Sequence, residues 1–177
     1  MSTRDEQIET LRGWFAGRLP DGLFDGPPEI TLDREEITVV GRITVPTTVA
    51  EASDAERAVA VASRIKAFRE RTRQERIDVA SDAEHIFGRK VSWGVTCGDT
   101  TQMFTTLSVP VMTRLRQSER RLLDTLVDAG VARSRSDALG WCVRQVGERA
   151  ETWLADLREA MRKVEQVRDA GPEPQDG

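Results

Sequence analysis

The spacing of apolar residues switches between two and about 3.6 along this chain, and that alternation admits only a mixed α and β fold. In "EITLDREEITVVGRITV" (29–45), Ile37, Val39, Ile43 and Val45 alternate with polar positions as half-buried strands require, and "DREE" is placed to close a hairpin. Gly41 inside the run predicts a bulge or bend. "GRKVSWGVTCGDTTQMFTTLSVPVMTRL" (88–115) repeats the pattern, with Val91, Trp93 and Val95 in one strand. Leu107, Val109, Val111 and Leu115 alternate in a second, with a "CGDTTQ" turn between them. Elsewhere the period is helical. Ile8, Leu11, Phe15 and Leu19 mark a short amphipathic helix over 5–19, and "LPDGLFDGPP" (19–28) breaks it. Ser53 and Glu56 form a capping box. The helix it opens is expected to run to Phe87, with Val59, Ala62, Ile65 and Phe68 inward.

The remainder is helical. Leu122, Leu123, Leu126 and Val127 share one face of 118–129, and Gly130 follows where a helix ends. A second helix begins near Ser134 and turns Ala138, Leu139, Cys142, Val143 and Val146 inward. Val143, Val146, Ala150, Trp153, Leu157, Ala160, Val164 and Val167 then keep 3-4 spacing, a heptad seam. Such a seam fits a helix docked along its own domain, and equally a coiled-coil arm joining two subunits. "GPEPQDG" (171–177) reads as a disordered tail. The expected fold is α+β and helix-rich. An N-terminal module of strands plus a long helix (1–100) precedes a strand–helix–helix segment (101–150) and a helical extension (151–170).

"LSVPVMTRL", "SERRLLDTLVDAGV" and "ARSRSDALGWCVRQV" are a short strand, a helix ending at glycine, and a helix opening with S-R-S-D. In that order they resemble the ribbon-helix-helix family of DNA-binding proteins, the class of the Met and Arc repressors. The resemblance covers 106–150, about a quarter of the chain. It implies that the strand pairs with its copy in a second subunit, making a homodimer, and that the two-stranded ribbon enters the major groove of double-stranded DNA. The inward face would be Leu107, Val109, Val111 and Leu115, and the outward face Ser108, Pro110, Met112 and Arg114. The DNA-binding residues it implies are Ser108, Met112, Arg114 and Arg116 on the ribbon side. Arg133, Ser134, Arg135 and Ser136 would hold phosphate. Pro110 and Met112 depart from the family's usual polar residues, and proline lacks an N–H. That departure bears on base reading and leaves phosphate binding and dimerisation untouched. The first 100 residues have no counterpart in the family.

Physical chemistry leads part of the way to the same site. Ser134 is a good N-cap, with Asp137 at N3. A helix start leaves backbone N–H groups unpaired and partly positive, so a phosphate fits there. Arg133 and Arg135 add charge, and Asp137 opposes it. Taken alone, the same residues describe an ordinary capped helix with solvated arginines. The strand also has a rival partner, since 103–115 could pair with 89–97 as a hairpin of the N-terminal sheet.

Net charge is −4, so no global field draws nucleic acid or an anionic membrane, but the mean hides an asymmetry. Residues 1–52 hold ten acids and five bases, and residues 88–150 hold ten bases and six acids. Between Arg64 and Arg76 stand six bases and two acids. This is either a solvated face with i,i+4 pairs or an accessory anion-binding face. His85 is the sole histidine, and neither a metal cluster nor a catalytic triad can be assembled around it. Cys97 and Cys142 read as reduced thiols, and no phosphate-binding glycine loop occurs. Trp93 reads as a core residue or a base-stacking one, and Trp141 as packing on a neighbouring domain or subunit. We therefore expect a cytoplasmic, non-enzymatic protein without signal peptide, membrane span, metal or cofactor. The expected function is that of a dimeric DNA-binding protein, a transcription regulator. The alternative is a dimeric adaptor that uses the strand–helix–helix segment only to dimerise and binds other proteins through its acidic N-terminal module and its C-terminal helix. RNA or ribosome contact through the Arg64–Arg76 helix is a third reading.

Overall fold

Asp33 closes the first hairpin, its Oδ1 accepting the N–H groups of Glu35 and Glu36 at 2.9 and 2.6 Å. The flanking strands β1 (Glu29–Leu32) and β2 (Glu36–Ile43) pair antiparallel. The computed structural model describes residues 4–47 and 52–170 and divides the chain into two units that part between Val109 and Pro110. In the first unit β2 also pairs with β3 (Lys90–Cys97), in parallel. Parallel neighbours need a long crossover. Here it contains α2 (Asp54–Arg71) and α3 (Arg73–Phe87). β3 turns at Gly98 into antiparallel β4 (Thr100–Met103), giving the order β1-β2-β3-β4.

The core lies between this sheet and the helices. Ile37, Val39, Val91, Trp93, Val95 and Cys97 form one cluster with Leu11 and Phe15 of α1 (Arg4–Arg18), Val61, Ile65 and Phe68 of α2, and Val79 and Ala83 of α3. The ring of Phe15 meets Trp93 edge-on at 6.1 Å. Trp93 is thus a core residue.

Three expectations are corrected here. β2 keeps unbroken register with β3 from Glu36 opposite Lys90 to Ile43 opposite Cys97, so Gly41 makes no bulge. It is needed because a Cβ at that position would lie 2.0 Å from the Phe24 ring. The helix expected over 53–87 is two helices. Thr72 donates its hydroxyl back to the Phe68 carbonyl at 2.8 Å, an interaction that competes with regular helix bonding, and α3 starts afresh after it. The inward face of α2 is Val61, Ile65 and Phe68, while Val59 (67% exposed) and Ala62 face out. The Ser53–Glu56 capping box is present as read.

The segment expected to form a strand over 106–114 makes none within the chain. Phe104 N–H still reaches the Trp93 carbonyl at 2.7 Å and Trp93 N–H donates to the Thr105 hydroxyl at 2.9 Å, so the rival hairpin holds as far as Thr105 and then stops. Residues 105–116 are neither helix nor strand: Leu107 N–H donates to the Glu36 side chain at 3.0 Å, but among the described residues no strand pairs with the segment to make a ladder. The apolar side chains of the expected inward face stand in solvent, Val111 at 85% exposure, and only Leu115 is half-buried.

In the second unit α4 (Gln117–Asp128) ends as read. Gly130 takes φ +73°, and Val131 N–H turns back to the Leu126 carbonyl at 3.0 Å. α5 (Arg135–Arg149) follows, then α6 (Glu151–Ala170). Leu123, Ala132 and Ala138 are the buried residues here, with Leu115, Leu126, Val127, Leu139 and Cys142 packed partly against them. Val143 and Val146, expected inward, are exposed. The helix breaks at Ala150 (φ −108°, ψ 17°), and α6 buries no residue, so among the described residues it is not docked along its own domain. The expected tail, 171–177, lies outside the described residues. No helix among those residues is long and apolar enough to cross a membrane.

Candidate nucleic-acid interface

The start of α5 is built by a turn that holds two polar side chains against the backbone. Ser134 is the N-cap, and its Oγ accepts the Asp137 N–H at 3.2 Å. The Asp137 carboxylate reaches back past the cap and accepts the Arg133 N–H at 3.0 Å. It therefore grips one residue earlier than a capping box would. The N–H groups of Arg135 and Ser136, first in the helix, have no i−4 carbonyl inside it and no acceptor among the described residues. Two donors, a partial positive charge and two exposed arginine side chains thus gather at one spot.

Arg135 is not idle. Its Nε and Nη2 donate to Asp124 Oδ1 and Oδ2 at 2.6 and 2.8 Å, a bidentate pair across the α4–α5 turn. The hydrogen bond from Arg135, with its positive charge, holds the Asp124 carboxyl below its ordinary range, and the same bond raises Arg135. Arg133 lies within 3.8 Å of Asp137 yet remains 96% exposed. The sequence reading missed Asp124. It stands eleven positions before Arg135, a spacing that no local motif marks.

Of the implied DNA-binding residues, Arg133, Ser134, Arg135 and Ser136 are brought together. Ser108, Met112, Arg114 and Arg116 lie on or at the end of the exposed 105–116 segment, Met112 at 96% exposure. Ser108 belongs to the first unit and the other three to the second. Among the described residues no cluster of His, Cys, Asp and Glu could hold a metal ion. His85 is exposed on the last turn of α3. The Cys97 thiol is buried, and burial pushes it above its usual pKa, so it is the reverse of an activated nucleophile.

Comparison with known proteins places both units. Residues 9–103 match the N-terminal domain of Rv1265-like proteins, and residues 116–168 match the Mb1296 C-terminal domain. The chain belongs to the Rv1265-like family. The chain is 54% identical over 160 residues to Rv1265 of Mycobacterium tuberculosis and likewise to Mb1296 of Mycobacterium bovis. In each case the match spans 90% of this chain and 69% of the relative. No solved structure matches. The two matched stretches of this Rv1265-like chain leave residues 104–115 between them, most of the exposed segment described above.

Proposed function

We propose that this protein is a homodimeric DNA-binding protein that acts as a transcription regulator. The observation that carries the reading is the unfinished state of the second unit. Three residues are buried around the α4–α5 turn, while the start of the unit leaves Val111 and Met112 in water. Leu115, Leu126, Val127, Leu139 and Cys142 only partly cover those three, so the core is small and a unit of this size buries a low share of its surface. A second copy would complete it, since two exposed segments laid side by side satisfy each other's backbone and cover each other's apolar residues. The ribbon-helix-helix resemblance of 106–150 supports the same arrangement. The open N–H groups of Arg135 and Ser136, with Arg133 beside them, then grip a backbone phosphate on each side of the ribbon. Arg114 is the base-contacting residue, and the resemblance also implies Ser108, Met112 and Arg116 as DNA-binding residues.

The test measures mass and DNA binding together. The full chain should sediment as a dimer and retain labelled duplex DNA at low salt. Arg133→Ala/Arg135→Ala should stay dimeric and lose most of that binding. A monomer, or a double variant that binds duplex as the parent does, ends the proposal.

The exposed face of α6 favours a second reading, a dimeric adaptor that binds other proteins. Trp153, Leu157, Met161, Val164 and Val167 are all exposed on one helix. A stable dimer with no duplex binding at any salt would decide for it.

A further inference from the structure

Six bases and two acids stand between Arg64 and Arg76, and among the described residues no ion pair joins any of them to a carboxylate. The i,i+4 pairing that such a helix face could support is therefore absent. Acids are not lacking, since Glu70 and Glu75 share the same two helices.

The arginines are held by something other than carboxylates. Arg76 is only 6% exposed. Its Nε donates to Thr72 Oγ1 at 3.1 Å and its Nη2 to the Arg69 carbonyl at 2.8 Å. Its guanidinium lies 4.8 Å over the Phe104 ring, and that of Arg69 lies over the same ring at 5.8 Å. Arg71 lies 5.8 Å over Phe68, whose ring is 6.2 Å from Phe104. Burial, then the positive charges of Arg69 and Arg73, all lower the pKa of Arg76.

Arginines gathered this closely repel one another, and one of them is buried without a counter-ion. Stacking on aromatic faces fixes their positions in advance and leaves guanidinium edges free to bond. A site with fixed donors, excess positive charge and no carboxylate paired to them is built for an external anion. A phosphodiester chain presents singly charged groups one after another. That suits several arginines spread about one helix junction better than a single carboxylate does.

We propose that the α2–α3 junction is a second DNA contact, in which Arg69 and Arg73 grip backbone phosphates and Arg76, braced by Thr72 and Phe104, holds the junction in shape. The choice of duplex DNA as the polyanion rests on the function proposed above, while the site itself shares no residue with the α5 start. It would give the first unit a part in binding that is independent of sequence.

The full chain is titrated against a labelled duplex of about 25 base pairs of mixed sequence, read by fluorescence anisotropy from 50 to 200 mM salt. Each phosphate neutralised contributes about 0.9 to the slope of log K against log salt. Arg69→Gln/Arg73→Gln should therefore shallow the slope by about 1.8 per chain in contact. Its deficit against the parent should shrink about 12-fold over that fourfold salt range. Both side chains are exposed, but the variant gives up the stacking of Arg69 on Phe104, so a thermal melt of each variant checks that the fold is kept. Glu75→Lys is the reciprocal variant and should steepen the slope by about 0.9. Parental affinity and slope in both variants overturn the inference. If Arg133→Ala/Arg135→Ala still weakens binding in that case, the proposed function stands without this contact. The opposite pattern keeps this contact and removes the role of α5. A change confined to single-stranded RNA of equal length, with the duplex unaffected, assigns the surface to RNA and overturns the DNA contact.

Discussion

Asp124 and a DNA phosphate compete for the same edge of Arg135. The carboxylate holds that edge by two bonds, at 2.6 and 2.8 Å, so Asp124→Asn should strengthen DNA binding rather than weaken it. The replacement frees one guanidinium per chain. If each freed arginine neutralises one more phosphate, a dimer gains two, and the salt slope steepens by about 1.8. Between 200 and 50 mM salt the advantage over the parent should then grow about 12-fold. Glu148→Gln makes the same change in net charge near the far end of α5 and controls for the general field. Arg135→Ala is the opposite perturbation: it removes the grip and leaves the Asp124 carboxylate bare beside the phosphate. It should therefore cost more than Arg133→Ala. Anisotropy titrations of one labelled duplex at four salt concentrations decide the matter. If Asp124→Asn binds no tighter than Glu148→Gln, Arg135 is not a phosphate ligand and the competition argument fails. The same pair sets a pH dependence. The Asp124 pKa is depressed in the folded chain, chiefly by its hydrogen bond from Arg135. Its contribution to stability is therefore present above the ordinary carboxylate value, about 3.9, and is lost as pH falls through the lower folded value. Arg135→Gln should raise the Asp124 titration midpoint seen by NMR.

Three further outcomes follow from packing. Leu123→Ala removes the largest buried side chain of the second unit, and denaturant melts should show a loss of about 2–5 kcal/mol. Val111→Glu places a charge in the segment proposed to pair between copies, and sedimentation should show a monomer; a dimer unaffected by it argues for another interface. Gly41→Ala drives a methyl into the Phe24 ring and should cost about 1–3 kcal/mol, less in a Phe24→Leu background.

Local rules were legible in the residues, and longer-range ones were not. The Ser53–Glu56 box, the Ser134 cap and the Gly130 stop each depend on neighbours within four or five positions, so spacing alone finds them. The break at Thr72 left no mark on the apolar period, because it comes from a hydroxyl bonding back to a carbonyl one turn earlier. Gly41 suggested a bulge, a sound inference for a glycine in a strand, but its reason is a ring brought in from seventeen positions away. The alternation over 107–115 is real in the residues and yields no strand within one chain, since a strand is a relation between two segments. At the candidate site the cap and the arginines could be read, whereas the carboxylate occupying Arg135 comes from the preceding helix.

The parallel pairing of β2 with β3 joins residues as far apart as Glu36 and Lys90, so the centre of the sheet forms only after a loop of more than fifty residues has closed. Closing such a loop costs entropy before any contact rewards it, and topologies of that kind fold slowly. The α4–α5 turn needs only neighbouring residues and can fold on a much shorter clock. On the ribosome, β2 emerges long before its partner and must wait with an unpaired edge until β3 has been made.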